Sequence, residues 1–197
     1  WLKKYHNADG SMVLLQETHS SPEIENIWKQ EYGNNIIFSH DSSNSGGTAI
    51  LMPNIDINIV NTESLDNGRC ICIEIEVGEN EENLFVMNVY APTRDHVQDQ
   101  IQLAQNLSNI TSRYTHCTLI LGGDLNLCMD PAMDTYGECD KYTEYRTALK
   151  GLCDPVNLID SWRLLNPDVR RDTGRHCNPL RQSRLDYLLT SVHLLYL

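Results

Sequence analysis

In the stretch "LILGGDLNL", residues 119 to 127, an acid and an amide stand two positions apart at the end of an apolar run. Side chains on an extended chain alternate between faces, so Asp124 and Asn126 are expected to emerge together. Three further apolar runs end in groups of the same kind. "VLLQETH" delivers Glu17, "LFVMNVYAPT" delivers Asn88 and Tyr90 just before Pro92, and "SRLDY" places Ser183 and Asp186 beside Tyr187. Singly, each has an ordinary explanation: a glutamate after a strand is a solvated turn residue, a tyrosine before proline packs, and glycines ahead of an aspartate make a turn. Together they supply what phosphodiester hydrolysis needs. That reaction calls for a divalent metal to offset charge on the phosphoryl oxygens, a carboxylate to hold it, and a group to orient or deprotonate water. Mg²⁺ takes oxygen ligands, often one or two carboxylates with waters, and Glu17 fits that role. Asp124 would position the attacking water and Asn126 would donate to a phosphate oxygen. Tyr90 would donate near the transferring phosphoryl or help to move a proton. All of these, with Asp186, are expected at one common mouth.

The motifs "LLQETH", "GGTAIL", "NVYAPT", "LGGDLNL", "DSWR" and "SRLDYLL" stand in the order seen in the endonuclease/exonuclease/phosphatase superfamily. The chain most resembles the endonuclease domain of LINE-type, non-LTR retrotransposons, itself similar to apurinic/apyrimidinic endonucleases. "LNLCMDPAMDTYGE" resembles the retroelement variety. The resemblance implies Mg²⁺-dependent nicking of one DNA strand, with Mn²⁺ as an alternative ion. It implies Glu17 as metal ligand, Asp124 and Asn126 in the GDxN roles, Tyr90 as the phosphate-side phenol, and Asp186 as the acid that orients a catalytic histidine. Asn88, Arg163 and Ser183 with Arg184 would lie on the substrate side. The partner would be the DNA backbone, and the full-length polypeptide would continue into a reverse-transcriptase region and act on chromosomal DNA in the nucleus. Two other readings stay open: a degenerate, non-catalytic remnant of such a domain, and a phosphatase of the same superfamily acting on lipid or inositol phosphates.

The chain departs from the family pattern at both ends. An asparagine on a first strand upstream of "QET" is not found; Asn7 falls in a loop and is not accepted in its place. A serine-aspartate-histidine motif on a last strand is also missing. His193 in "TSVHLLYL" follows Asp186 by only seven residues, with Val192 where an aspartate should stand, and reads as a surface or packing histidine. Gly174 follows Thr173 where a tryptophan often stands. A positioned acid or base is worth roughly 10²- to 10⁴-fold in rate, so residues 1 to 197 are expected to nick plasmid DNA poorly or not at all. The start at Trp1 rather than Met points to a longer polypeptide, and missing terminal strands would leave sheet edges unpaired.

Elements must deliver these side chains, and 197 residues suffice for one well-cored domain spanning 1–197. Strand-like runs near 11–16, 35–39, 47–52, 56–61, 69–77 and 84–90 alternate with helix-like ones. Ser21 and Pro22 start a short helix to residue 32, with Ile24, Ile27 and Trp28 on one side. "NGR" at 67–69 reads as a hairpin turn. Val97, Ile101, Ala104, Leu107 and Ile110 recur at helical spacing across 95–113. A second helix is expected over 141–152, and "SRLDYLLTS" as one strand. The order suggests an α/β fold: a four-layer αββα sandwich of two packed mixed β-sheets flanked by helices, lacking the first and last strands.

Composition narrows the class further. A hydrophobic fraction of 41% and a charged fraction of 21% are ordinary for a globular chain. No apolar run reaches membrane-spanning length and the N-terminal residues do not make a signal peptide. Seven cysteines without a CxxC pair suit a reduced, intracellular chain, with Cys70 and Cys72 as buried small hydrophobes rather than zinc ligands. The net charge of −12 hides an asymmetry. Residues 1 to 140 carry 6 basic and 21 acidic side chains, and residues 141 to 184 carry 9 and 5. The basic stretch includes Arg163, Arg170, Arg171, Arg175, Arg181 and Arg184, which the resemblance would turn toward backbone phosphates.

Overall fold

Three β-rich runs before residue 52 and three after it build the first half of the molecule. In the computed structural model the described residues are 11–33, 35–41, 46–52, 57–65, 68–78, 81–136, 143–175 and 182–196. They divide into two units, Trp1–Tyr90 and Ala91–Leu197. Asn7, Asn67, Cys139, Cys177 and Arg181, named above, lie outside the described residues.

In the first unit, strands β1 (Val13–Gln16), β2 (Ile36–Ser39) and β3 (Thr48–Leu51) form an antiparallel sheet with β3 in the middle. Helix α1 (Pro22–Tyr32) begins as its sequence predicts: Ser21 is the N-cap, and its Oγ accepts from the Ile24 amide at 3.4 Å. The side chains that anchor it are Trp28 and Tyr32, packed with Val13, Leu15 and Phe38 around Ile36, Ala49 and Leu51. Ile24 and Ile27 point the other way, 36% and 62% exposed, so the expected apolar side is only half used. Strands β4 (Asn58–Leu65), β5 (Cys70–Glu76) and β6 (Leu84–Tyr90) pair antiparallel in that order. The β4–β5 hairpin turns at Gly68, whose φ of +61° suits glycine. The two sheets pack face to face, with β1 and β3 against β6. Cys70 to Ile75 are buried without interruption, as expected of a strand covered on both faces. Its two thiols lie 3.4 Å apart; the Cys72 contact and then burial push the Cys70 thiol well up, so it is inert.

In the second unit, helix α2 (Val97–Thr111) packs on helix α4 (Thr143–Cys153), and strand β7 (Thr118–Asp124) is the first of the unit's strands. Short helix α3 (Pro131–Asp134) and strand β8 (Thr135–Tyr136) follow β7. After α4 come β9 (Leu158–Asp160), α5 (Ser161–Leu165), β10 (Gly174–Arg175), β11 (Gln182–Ser183) and β12 (Asp186–Ser191). β12 pairs antiparallel with β7 and β9, while β11 joins β10 and β8 in a small separate sheet. The expected class therefore holds: an α/β fold with two packed sheets flanked by helices.

Two expectations need correction. "SRLDYLLTS" is not one strand, because Arg184 and Leu185 leave the ladder between β11 and β12; the Arg184 amide donates instead to Asp134 O at 2.8 Å. The buried stripe of α2 is also rotated from the apolar count. Gln100, Leu103, Ala104, Leu107, Ile110 and Thr111 are buried, whereas Val97 and Ile101 are partly exposed. The Gln100 Nε2 donates to Pro92 O at 2.7 Å, which satisfies the donor half of its buried amide.

Candidate active site

The first unit brings Glu17, Asn88 and Tyr90 together at the ends of β1 and β6. Glu17 is exposed, and its φ of 51° is one that a non-glycine residue adopts at a cost. Tyr90, 8% exposed, donates its phenolic proton to Glu17 Oε1 at 2.5 Å. The Arg69 guanidinium lies over the Tyr90 ring, 4.9 Å from its centre, a cation–π contact that also fixes the ring. Asn88 is wholly buried, and its bonds explain why the position is an amide. Nδ2 donates to Leu15 O at 2.9 Å and Ala49 O at 2.8 Å, and Oδ1 accepts from Gln16 Nε2 at 2.5 Å. One side chain thus straps β1 and β3 to β6 immediately before Glu17. This places Asn88 behind the site as a positioning group, not on a substrate face.

The second unit brings Asp124, Asn126 and Asp186 together. Asp124 closes β7 and stands opposite Asp186 in the β7–β12 ladder. The extended geometry expected for Asp124 and Asn126 does not occur. Asn126 takes φ 49°, and its amide donates to Asp124 Oδ1 at 2.8 Å, an Asx turn. The carboxylate folds the chain back on itself, and Asn126 Nδ2 is anchored on Ala91 O at 2.8 Å. Asp186 is exposed, with its amide bonded to Thr173 Oγ1 at 3.1 Å; the same hydroxyl accepts from the Leu185 amide at 3.0 Å. Thr173 therefore fixes the entry into β12. Tyr145 is buried, and burial first, then the Asp124 charge, pushes its phenol up.

Arg163, Ser183 and Arg184 have internal partners. Arg184, 3% exposed, donates from Nε to Asp134 Oδ1 at 2.9 Å and forms a close ion pair with Asp160. Arg163 Nη2 donates to Asp134 Oδ1 at 2.7 Å, and its Nη1 donates to Val169 O at 2.7 Å. Tyr187 OH donates to Asp134 Oδ2 at 2.9 Å. Both guanidinium groups lie over the Trp162 ring, at 4.9 and 5.0 Å. Burial alone would raise the Asp134 carboxyl, but the bonds from Arg184, the Asp130 amide and Arg163 outweigh it and hold it below the usual range. Ser183 is buried, and its carbonyl accepts from the Thr173 amide at 3.0 Å. The "DSWR" and "SRLDY" motifs thus meet on an aspartate that motif reading passed over. Asp134 closes a four-residue helix capped by Asp130, and only the fold shows that its side chain is buried.

His193 lies with its Nε2 2.7 Å from Thr118 Oγ1, at the start of β7, the opposite end of that strand from Asp124. This agrees with reading it as a surface or packing histidine. Gln16, Thr173 and Asp134 are the positioning residues that spacing alone does not single out.

Comparisons with known proteins now bear on this geometry. The model of the Endonuclease/Exonuclease/phosphatase family matches residues 1–196. The "Transposon TX1 uncharacterized 149 kDa protein" of Xenopus laevis is 29% identical over 194 residues. The match takes in 94% of this chain but only 14% of that relative's length. Among solved structures, an AP endonuclease from Archaeoglobus fulgidus superposes with a TM-score of 0.75 at 20% identity, over 98% of this chain and 80% of that one. The Xenopus laevis APE2 catalytic domain gives 0.74 at 18% identity, over 98% and 78%. At such identities the likeness to solved structures is one of fold.

Proposed function

Because the chain belongs to the Endonuclease/Exonuclease/phosphatase family, we propose that it is a metal-dependent phosphodiester hydrolase, the DNA-nicking endonuclease domain of a transposon-encoded polyprotein. The observation that carries the reading is Glu17. An exposed carboxylate on a left-handed backbone, gripped by the Tyr90 phenol, is a costly arrangement for a solvated turn and a useful one for a metal ligand.

Glu17 offers the hard oxygen donor that Mg²⁺ or Mn²⁺ takes. When bound, the ion would offset charge on the phosphoryl oxygens. The chain's own groups divide the remaining work. Tyr90 has one proton and spends it on Glu17, so its first task is to aim that carboxylate. Asn126 has two Nδ2 hydrogens and commits one to Ala91 O, leaving one to donate to a phosphate oxygen. Asp124 accepts from the Asn126 amide on Oδ1, and its carboxylate would also orient the attacking water. Asp186, beside Asp124 in the ladder, would be the acid that holds a histidine supplied to the site.

The test is nicking of supercoiled plasmid with Mg²⁺ or Mn²⁺, protein in excess and long incubation. Slow nicking is expected, falling by about 10² or more in Glu17→Ala and in Asp124→Ala, the scale of a lost charge-stabilising or proton-handling group. Nicking indifferent to both changes refutes these assignments. Phosphate release from a phosphomonoester without nicking would make the chain a phosphatase. Glu17-dependent metal binding with no turnover would make it a non-catalytic remnant.

A further inference from the structure

Outside these residues, one polar cluster in the first unit joins side chains from three segments. His40, just past β2, has Nε2 2.8 Å from Glu25 Oε2 on α1 and Nδ1 2.8 Å from Ser20 Oγ. Ser20 Oγ lies 2.9 Å from Thr18 Oγ1 on the turn after β1. Ser20 is buried, the His40 and Glu25 side chains are each 22% exposed, and Phe38 stacks on the imidazole at 5.5 Å. The turn itself is clamped: the Thr18 amide donates to Gly47 O at 3.2 Å and the His19 amide to Gly46 O at 2.9 Å. Gly47, at φ +87°, leaves room for the hydroxyls, since a Cβ there would fall 2.5 Å from Thr18 Oγ1. Thr18 is the residue after Glu17, and both Glu17 and His19 hold positive φ, 51° and 46°.

The donors at the imidazole follow from the chemistry of its partners. Glu25 as a carboxylate only accepts, so Nε2 carries a hydrogen. In a neutral ring Nδ1 is bare; Ser20 then donates to it, and Thr18 donates to Ser20. When Nδ1 takes a proton from solvent, its N–H donates to Ser20 Oγ. One proton is gained and the His40–Ser20 bond reverses its sense; the freed Ser20 hydrogen has Thr18 Oγ1 2.9 Å away as an acceptor, so the reversal can pass on to Thr18. Among the described residues, the charged groups facing the ring are Glu25 and Glu23 on α1, with Lys29 paired to Glu25. Asp41 follows it in the chain, and His19 and Glu17 flank Thr18 on the turn. Burial works to raise the Glu25 carboxyl, but Lys29 and His40 outweigh it and hold it low, which keeps it an acceptor.

We propose that Glu25, His40, Ser20 and Thr18 form a proton-reversible relay that positions the turn carrying Glu17, so that His40 protonation tunes how the Glu17 carboxylate is presented. Only the last step rests on Glu17 being a metal ligand. The test is a pH titration of the ¹⁵N-labelled chain by NMR without metal, followed by Mn²⁺ binding on either side of the His40 midpoint. The Thr18 and Glu17 amides are expected to shift with the His40 imidazole at one midpoint, and Ser20→Ala to uncouple them while His40 still titrates. Thr18→Val, which keeps the shape and loses the terminal hydroxyl, should silence the Glu17 amide in the same way. Amides that stay still through the His40 transition, or that follow it unchanged in both variants, overturn the relay. Mn²⁺ affinity should differ about two- to tenfold across the midpoint, the worth of one hydrogen bond, and not in Ser20→Ala. If Glu17→Ala keeps full Mn²⁺ affinity, the metal assignment fails while the amide linkage still stands.

Discussion

Glu17 holds a backbone conformation that costs a non-glycine residue of order 1–3 kcal/mol, and that cost separates stability from function at one position. Glu17→Gly relieves the strain at φ 51°. It is expected to leave the urea midpoint unchanged or to raise stability by up to about 1 kcal/mol, while metal binding and nicking are lost. A clear fall in the midpoint would mean the Tyr90 contact contributes more than the strain. Asn88 behaves oppositely. Its amide satisfies two carbonyls and takes the Gln16 amide, so Asn88→Leu should destabilise by about 2–4 kcal/mol, measured by the same melt. Both residues were visible in the sequence as polar groups ending apolar runs. Their division into an exposed group and a buried strap was not, because a strand pattern states which face a side chain takes but not which carbonyls wait there.

At the scale of elements, the short helix α3 does more than its four residues suggest. It carries Asp134, whose side chain is fully buried and joined to Arg163 and Arg184. Removing one partner of such a group strands the other, so Asp134→Ala is expected to cost about 3–5 kcal/mol. The pH dependence follows from the sign of the Asp134 shift. Its carboxyl is depressed in the folded state, so the stabilisation is present above the unfolded value of about 3.9 and is lost as pH falls through the folded one. Asp134→Asn should therefore lower stability at neutral pH and flatten its decline below about pH 4; a parallel decline in the two proteins would place the acid-labile group elsewhere. The strands themselves were legible: β3, β5 and β6 fall within a residue or two of their apolar runs. The break at Arg184 was not, since it depends on Asp134 and Asp160, 50 and 24 residues away in the chain. The Asx turn at Asn126 escaped for a local reason: alternation assumes that the strand continues.

At the scale of the whole molecule, the question is which arginines of the basic stretch are left to meet phosphate. Arg163 and Arg184 are engaged with Asp134 and Asp160, so composition alone overstated the basic surface. Arg170 and Arg171 are exposed and line a shallow cleft with Tyr136 and Gln182, and Arg170 makes a bond to Ala132 O at 3.0 Å that leaves it solvated. On an acidic chain of net charge −12, Arg170 and Arg171 are the exposed arginines among the described side chains of this stretch, and any attraction they exert on DNA is read in its salt dependence. Each phosphate contact contributes about 0.9 to the slope of log affinity against log salt. Arg170→Gln with Arg171→Gln should therefore weaken duplex binding similarly on unrelated sequences and reduce the slope by close to 2. The same measurement on Arg163→Gln should show lost thermal stability with the slope unchanged in whatever fraction stays folded. An unaltered slope in the double variant would leave Arg170 and Arg171 as ordinary solvated surface and move the DNA contact to other residues.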